Sequence, residues 1–288
     1  MARGFAAFVG RLPAPLRAAL GALLGELLFV ALPRRRRIAL GNLAVAFPAS
    51  PPAARRRVAR RASRHLGLVC AELAALLARP LPATLATLSL EGREHLDRVM
   101  AAHGRALVLT AHLGNWELLA AAHRLTPYPL AIVVRPLDAG WLNALAEEAR
   151  RKTGVELIAK RGALRPVLDA LRRGRMVGIL LDQNTARRES VFVPFFGRPA
   201  STSRALALLA LRTGTPIVPI FARRDHGRHR VMIAPPIVPS SRGASEAAAA
   251  ELTARCTAAI EAAIREAPEQ WLWSHDRWRT RPPAEGPA

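Results

Sequence analysis

Ala106-Leu-Val-Leu-Thr-Ala-His112-Leu-Gly-Asn-Trp-Glu117-Leu-Leu-Ala120 is the stretch on which the reading of the chain turns. It opens as an apolar run rich in β-formers, passes a short polar turn, and resumes with helical spacing. That order predicts a buried strand over Ala106 to Thr110 feeding a helix that starts near Asn115. His112 then stands at the carboxyl end of a strand, where open α/β sheets bind their ligands. With His112 in the turn and Glu117 in the first helical turn, the two side chains can meet. A carboxylate on one imidazole nitrogen fixes the tautomer and makes the other nitrogen a better base, which suits general-base chemistry. Gly114 allows a sharp turn or a close approach to the backbone. The competing reading of the same residues is a histidine that is only exposed, or satisfied within a core.

Working outward, the chain alternates. Strand candidates are Ala106 to Thr110, Leu130 to Val134, Val155 to Ala159, Met176 to Leu181, Pro216 to Phe221 and Val231 to Ala234. Helical spacing falls near Asn115 to Arg124, Trp141 to Lys152, Leu164 to Arg173, Ser203 to Arg212 and, rich in alanine, Ser245 to Glu266. The expected fold class is therefore α/β, a mostly parallel or mixed sheet flanked by helices. Upstream, Ile38 to Phe47 and Arg55 to Ala78 read as helices, and Leu88 to Leu96 as a lead into another near His103. The organisation expected is one domain over residues 1–288: an apolar segment at 12–32, a helical part at 34–104 and an α/β core at 105–280. No internal repeat is visible, and residues 282–288 read as a disordered tail.

Leu12 to Leu32 is almost wholly apolar and is followed by Pro33 and Arg34-Arg-Arg-Arg37. About 20 residues would span a bilayer, but Arg17 and Glu26 lie inside the stretch, and charges are costly at mid-depth. No small-residue cleavage site follows, so a signal peptide fits poorly. The reading is a monotopic helix or short anchor with the four arginines on the cytoplasmic side; a buried core helix is the alternative.

A net charge of +22, carried almost entirely by arginine, admits two explanations: coding composition, or an anionic partner such as phospholipid, phosphorylated glycolipid, an acidic carrier protein or nucleic acid. Aromatics make up 5%, too few to suggest stacking platforms for single-stranded nucleic acid. Cys70 and Cys256 sit in Ala/Leu-rich helical contexts and form neither a disulfide framework nor a zinc spacing. There is no Gly-x-Ser-x-Gly elbow, no P-loop and no Gly-x-Gly-x-x-Gly after a strand, and His112 lacks a second ligand for a zinc site.

Other polar groups fall where strands should end. Arg135-Pro136 offers a guanidinium fork for phosphate or carboxylate. Asp182-Gln183-Asn184 ends an apolar strand abruptly, as a site or a cap would. Val193-Pro-Phe-Phe196-Gly197-Arg-Pro-Ala-Ser-Thr202 makes an apolar wall and tight turn before a capping hydroxyl, equally suited to a pocket and to a core.

With these blocks in order, the chain resembles the bacterial lipid A biosynthesis acyltransferases, within the larger glycerolipid-acyltransferase group. The resemblance runs from the apolar N-terminus to Trp278. It rests on His112-Leu-Gly-Asn-Trp-Glu117, Arg135-Pro136, Lys160-Arg-Gly-Ala-Leu-Arg165, Asp182-Gln183, Phe195-Phe-Gly-Arg-Pro-Ala200 with Thr202, Pro216-Ile-Val-Pro219 and Pro268-Glu-Gln-Trp-Leu-Trp-Ser-His275. It implies a membrane-bound O-acyltransferase that moves a fatty acyl group from acyl carrier protein to a hydroxyl of a phosphorylated glycolipid, at the cytoplasmic face of the inner membrane. It further implies His112 as base, Glu117 as its orienting partner, and Arg135, Asp182, Gln183, Phe196, Gly197 and Thr202 around the substrates, with no metal or dissociable cofactor and no nucleic acid. A lysophospholipid or mannosylated phosphoinositide acceptor is the alternative within this chemistry; a basic lipid- or nucleic-acid-binding protein without catalysis is the alternative outside it. Asp276-Arg277-Trp278 departs from the more basic run that the family would have there.

Overall fold

The computed structural model describes residues 2–136, 139–239, 243 and 245–283, so residues 284–288 of the predicted tail lie outside it. A seven-stranded sheet forms its middle layer. The strands are β1 (Leu88–Glu91), β2 (Ala106–Thr110), β3 (Leu130–Val134), β4 (Glu156–Ala159), β5 (Met176–Leu180), β8 (Ile217–Asp225) and β9 (Arg228–Ile233), in the order β1-β9-β8-β2-β5-β3-β4. All pairings are parallel except that of β8 with β9, so the sheet is mixed and mostly parallel. A separate hairpin joins β6 (Ser190–Phe195) to β7 (Arg198–Ser203).

β2 is buried at every position. Its alternating side chains feed two cores. Leu107 and Leu109 face α9 (Leu164–Arg172), α10 (Ala205–Thr213) and α11 (Glu246–Glu266); Ala106 and Val108 face α6 (Arg93–His103), α7 (Trp116–Ala122) and α8 (Gly140–Lys152). A strand covered on both faces needs the unbroken apolar run seen in the sequence.

The six strands expected after residue 105 are present, within a few residues of their predicted ends. Three other strands were not anticipated. β1 forms inside the segment read as purely helical, and adds an edge by pairing with β9. β6 and β7 carry Pro194 and Pro199 opposite each other, in a two-stranded ribbon where a missing N–H is tolerated. Phe196 and Gly197 both take positive φ (51° and 73°), the geometry of a two-residue hairpin turn.

The N-terminal part comprises α1 (Ala2–Arg11), α2 (Ala14–Ala31), α3 (Pro33–Ala46), the long α4 (Pro52–Ala78) and the short α5 (Leu81–Leu85). α2 corresponds to the apolar segment and is the one helix among the described residues long and apolar enough to cross a membrane by length and composition. It packs along α4.

Candidate active site

Parallel register builds the centre of the site. Thr110 of β2 lies opposite Leu180 of β5, and Leu181 donates its N–H to the Thr110 carbonyl at 3.1 Å. The strands therefore end level, and the side chains that leave them, His112 and Asp182, stand next to each other. Nδ1 of His112 lies 2.9 Å from Oδ1 of Asp182, and the backbone N–H of His112 donates to Oδ2 at 3.0 Å. The indole N–H of Trp271 donates to the same Oδ2 at 2.8 Å. Asp182 is almost wholly buried. Burial alone would raise its pKa, but the His112 ring, the His112 N–H and the Trp271 indole outweigh that and hold it at about 2.

An ionised Asp182 can only accept, so Nδ1 of a neutral His112 must carry the proton. Nε2 is left with its lone pair, and it faces a cavity of about 1300 Å³ with the side-chain amide of Gln183 at 3.4 Å. This is the arrangement of a general base.

The expected contact between His112 and Glu117 is not the one made, which corrects the pairing read from the sequence. Glu117 is in the first turn of α7, buried, and its carboxylate receives both arms of Arg150 from α8 at 2.8 and 2.7 Å, with the Trp116 indole at 3.1 Å. The Trp116 ring instead packs edge-on against His112, with centroids 5.1 Å apart. A bidentate guanidinium holds a carboxylate more firmly than one imidazole N–H would. His112, Glu117 and Arg150 all line the cavity, as do Arg135 and Gln183.

Phe196, Gly197 and Thr202 do not line it. Phe196 lies at the hairpin tip, against Phe47, Phe195 and Trp273, and its N–H donates to Glu261. Thr202 is fully buried and accepts from the equally buried Arg277 at 2.5 Å. Phe196 and Thr202 fix the hairpin to the core, the second of the two roles their sequence allowed, while Gly197 is exposed in the turn itself.

Around the site, Gly114 and Asn115 take the turn and helix-start places read from the sequence, while Glu72, Arg224 and His229 carried no local signal. The His112–Asn115 turn is bound on one side by the C-terminal segment, where Gly114 N–H donates to Gln270 O and Leu272 N–H to His112 O. Gly114 has φ +58°, and a Cβ there would run into the Ala222 carbonyl. Asn115 caps α7 through its side-chain oxygen and donates its amide to Glu72 of α4 at 2.6 Å. Glu72 also accepts from both arms of Arg224 and lies 3.3 Å from His229. Despite a burial that would raise its pKa, His229 and Arg224 keep Glu72 far below the usual carboxylate range. His275 is pushed down to about 4 by burial, and its neutral Nε2 accepts the Asn184 N–H at 3.0 Å.

The rest of the cavity lining is apolar and basic. Val108, Ile132 and Gly178 line it from one sheet face, Val167, Ile179 and Leu208 from the other, and Arg35, Arg188, Arg204 and Arg279 add positive charge. Among the described residues no group of three or more His, Cys, Asp or Glu side chains is placed to hold a metal ion.

The profile of the family described as bacterial lipid A biosynthesis acyltransferase matches residues 2–280. The chain belongs to this family. Similar members include the lipid A biosynthesis palmitoleoyltransferase of Escherichia coli K12, 27% identical over 96% of this chain and 89% of the relative, and the lauroyltransferase of the same organism, 28% identical over 95% and 89%. A shorter match, 28% over 44% of the chain and 42% of the relative, is to a phosphatidylinositol mannoside acyltransferase of Mycobacterium tuberculosis. As a lipid A biosynthesis-type acyltransferase the protein is an enzyme with a lipid acceptor, and the non-catalytic binding-protein alternative falls.

The depressed Asp182 pKa has a consequence for acid stability. Its carboxylate pairing stabilises the fold above the ordinary aspartate value of 3.8 and is lost as pH falls towards 2, a contribution on the order of 2 kcal/mol. Urea unfolding across that window should show a steeper loss of stability for the native enzyme than for Asp182→Asn. Equal slopes would remove Asp182 as the source.

Proposed function

We propose that this acyltransferase moves a fatty acyl group from the thioester of an acyl carrier protein to a hydroxyl of a phosphorylated glycolipid, a lipid A precursor. The observation that carries the reading is an imidazole held through Nδ1 by buried Asp182, with Nε2 presented to a cavity lined by apolar side chains and several arginines. Nε2 takes the proton of the acceptor hydroxyl as its oxygen attacks the thioester carbon. The tetrahedral oxyanion then collapses, the C–S bond breaks, and the thiolate recovers the proton from the imidazolium, leaving an ester and a thiol. Asp182 stabilises the transient imidazolium. Arg150, fixed by Glu117, supplies a cation to the same cavity and can offset charge on the oxyanion or on a phosphate. Arg135 and the other arginines of the cavity lining suit the phosphates of the acceptor and an acidic carrier. The enzyme works at the cytoplasmic face of the inner membrane in this reading, and needs no metal.

The test is transfer of labelled acyl groups from acyl carrier protein to purified lipid A precursor, lysophospholipid and mannosylated phosphoinositide. Transfer to the phosphorylated glycolipid is expected. Transfer only to the mannosylated lipid would favour the second reading, which the relative with the shorter match supports, and no transfer to any acceptor would defeat both.

The alkyl chain fits best along the sheet face that carries Gly178. This residue is paired with Val108 on one side and Ile132 on the other, and all three line the cavity. A Cβ at position 178 would already stand 3.3 Å from Ile132 Cγ2, so a larger side chain takes up the space beside it. Gly178→Val is expected to lower kcat/KM for the preferred chain relative to one two carbons shorter by roughly tenfold. An unchanged ratio would put the chain elsewhere.

A further inference from the structure

α2 carries two opposed stripes. Leu16, Leu20, Leu23, Leu27 and Val30 recur at helical intervals of three and four, and all are exposed. On the opposite side Gly21 and Gly25 are buried against α4. A Cβ at Gly21 would stand 2.9 Å from the Gly67 carbonyl, and one at Gly25 would overlap the backbone of Ser63 and Arg64. Ser63 also donates its hydroxyl to the Gly25 carbonyl at 2.7 Å. The two helices touch backbone to backbone, as glycine alone permits.

This seam constrains how α2 can meet a membrane. α2 runs antiparallel to α4, so its carboxyl half lies beside the arginine-rich half of its partner. Glu26 pairs there with Arg60 at 2.7 Å and Arg64 at 3.3 Å. A hydrocarbon core about 30 Å thick would take in the whole of an 18-residue helix, since that is only about 27 Å long. Crossing the bilayer would thus draw Arg60, Arg64 and Glu26 into it, at a cost that one apolar stripe does not offset. Lying flat incurs no such cost. The leucine stripe enters the acyl region, and Phe5 and Phe8 of α1, packed like α2 along α4, are also exposed. Arg34, Arg35 and Arg37, exposed just beyond the end of α2, meet the headgroups.

We propose that α1 and α2 dock the enzyme in the plane of an anionic bilayer surface and do not cross it. Leu28, Phe29 and Leu32, at the end of α2, line the catalytic cavity together with Arg35 and Arg36. The docked face is therefore continuous with the cavity mouth, and a lipid can pass from the leaflet into the site without leaving the interface. The partner is the phospholipid surface itself, whichever lipid is acylated.

Two measurements test this. The purified enzyme is expected to sediment with vesicles of phosphatidylethanolamine and phosphatidylglycerol, and more weakly with phosphatidylcholine alone. Leu23→Glu/Leu27→Glu changes two side chains that are already exposed and lie outside the cavity lining, so its melting temperature should stay close to the native value. Its vesicle affinity should fall roughly tenfold or more; native-like affinity in the folded variant would overturn the docking surface. For topology, Gly4→Cys and His226→Cys are compared in a background lacking Cys70 and Cys256, using a membrane-impermeant maleimide on spheroplasts. The in-plane arrangement predicts that both cysteines react only after lysis. Labelling of Gly4→Cys on intact spheroplasts, with His226→Cys still protected, would mean that α2 spans and would overturn the proposal.

Discussion

Replacing His112 by alanine, or Asp182 by asparagine, is expected to lower kcat by two to four orders of magnitude, roughly 10²–10⁴-fold. The two substitutions act on one device. Alanine removes the nitrogen that takes the acceptor proton. Asparagine keeps the size and the buried position of Asp182 but can turn its amide N–H towards Nδ1, which favours the tautomer with its proton on Nε2 and leaves the base blocked. It also removes the negative charge that stabilises the imidazolium. Because both variants disable the same proton transfer, the double variant should be little slower than the worse single one. Glu117→Gln separates this assignment from a direct His–Glu pair. With Glu117 bound to Arg150 and Trp116, and not to His112, its loss should act through Arg150 and leave the pH dependence of kcat in place. Single-turnover transfer across a pH series distinguishes the cases: a changed profile in Glu117→Gln with a native profile in Asp182→Asn would reverse the roles of the two carboxylates.

The place of the site was legible in the sequence, and its wiring was not. A hydrophobic run ended by a polar residue marks the carboxyl end of a buried strand from local pattern alone, and His112, Arg135 and Asp182 were singled out that way as candidates. Which carboxylate meets the histidine depends on β2 and β5 being parallel neighbours in the register that sets Thr110 opposite Leu180. That pairing joins residues about seventy positions apart and leaves no mark in either segment. Glu117 was the nearer candidate by counting, but Arg150, from the next helix, competes for it with two hydrogen bonds. The role of the Phe196–Gly197 turn stayed open for a related reason. Its aromatic and glycine content suits both a pocket wall and a hairpin tip, and only the packing of Phe47 and Trp273 against Phe196 decides between them. Local pattern also hid β6 and β7, since paired prolines argue against strands wherever both edges must be bonded.

Glu72 was the least visible residue of all, a single acid in an arginine-rich helix, and the second large effect is expected there. Glu72→Gln would leave Arg224 and His229 facing a neutral amide in a nearly buried setting. Breaking such a pair from one side costs about 3–5 kcal/mol, because the remaining charge keeps its desolvation penalty without its partner. Asn115 bonds the same carboxylate while capping α7, so the damage reaches the His112 turn, and kcat should fall along with stability. Replacing both charges by methionine separates the penalty of a stranded ion from the worth of the pair. Glu72→Met/Arg224→Met should recover much of the stability lost in Glu72→Gln, as buried pairs exchanged for apolar residues often do. It should not recover activity, because methionine offers the Asn115 amide no acceptor in place of the Glu72 carboxylate. Urea unfolding and single-turnover rates on the same three proteins check this. If the double variant were as unstable as Glu72→Gln, the cost would lie in lost packing or lost hydrogen bonds and not in an unpaired charge.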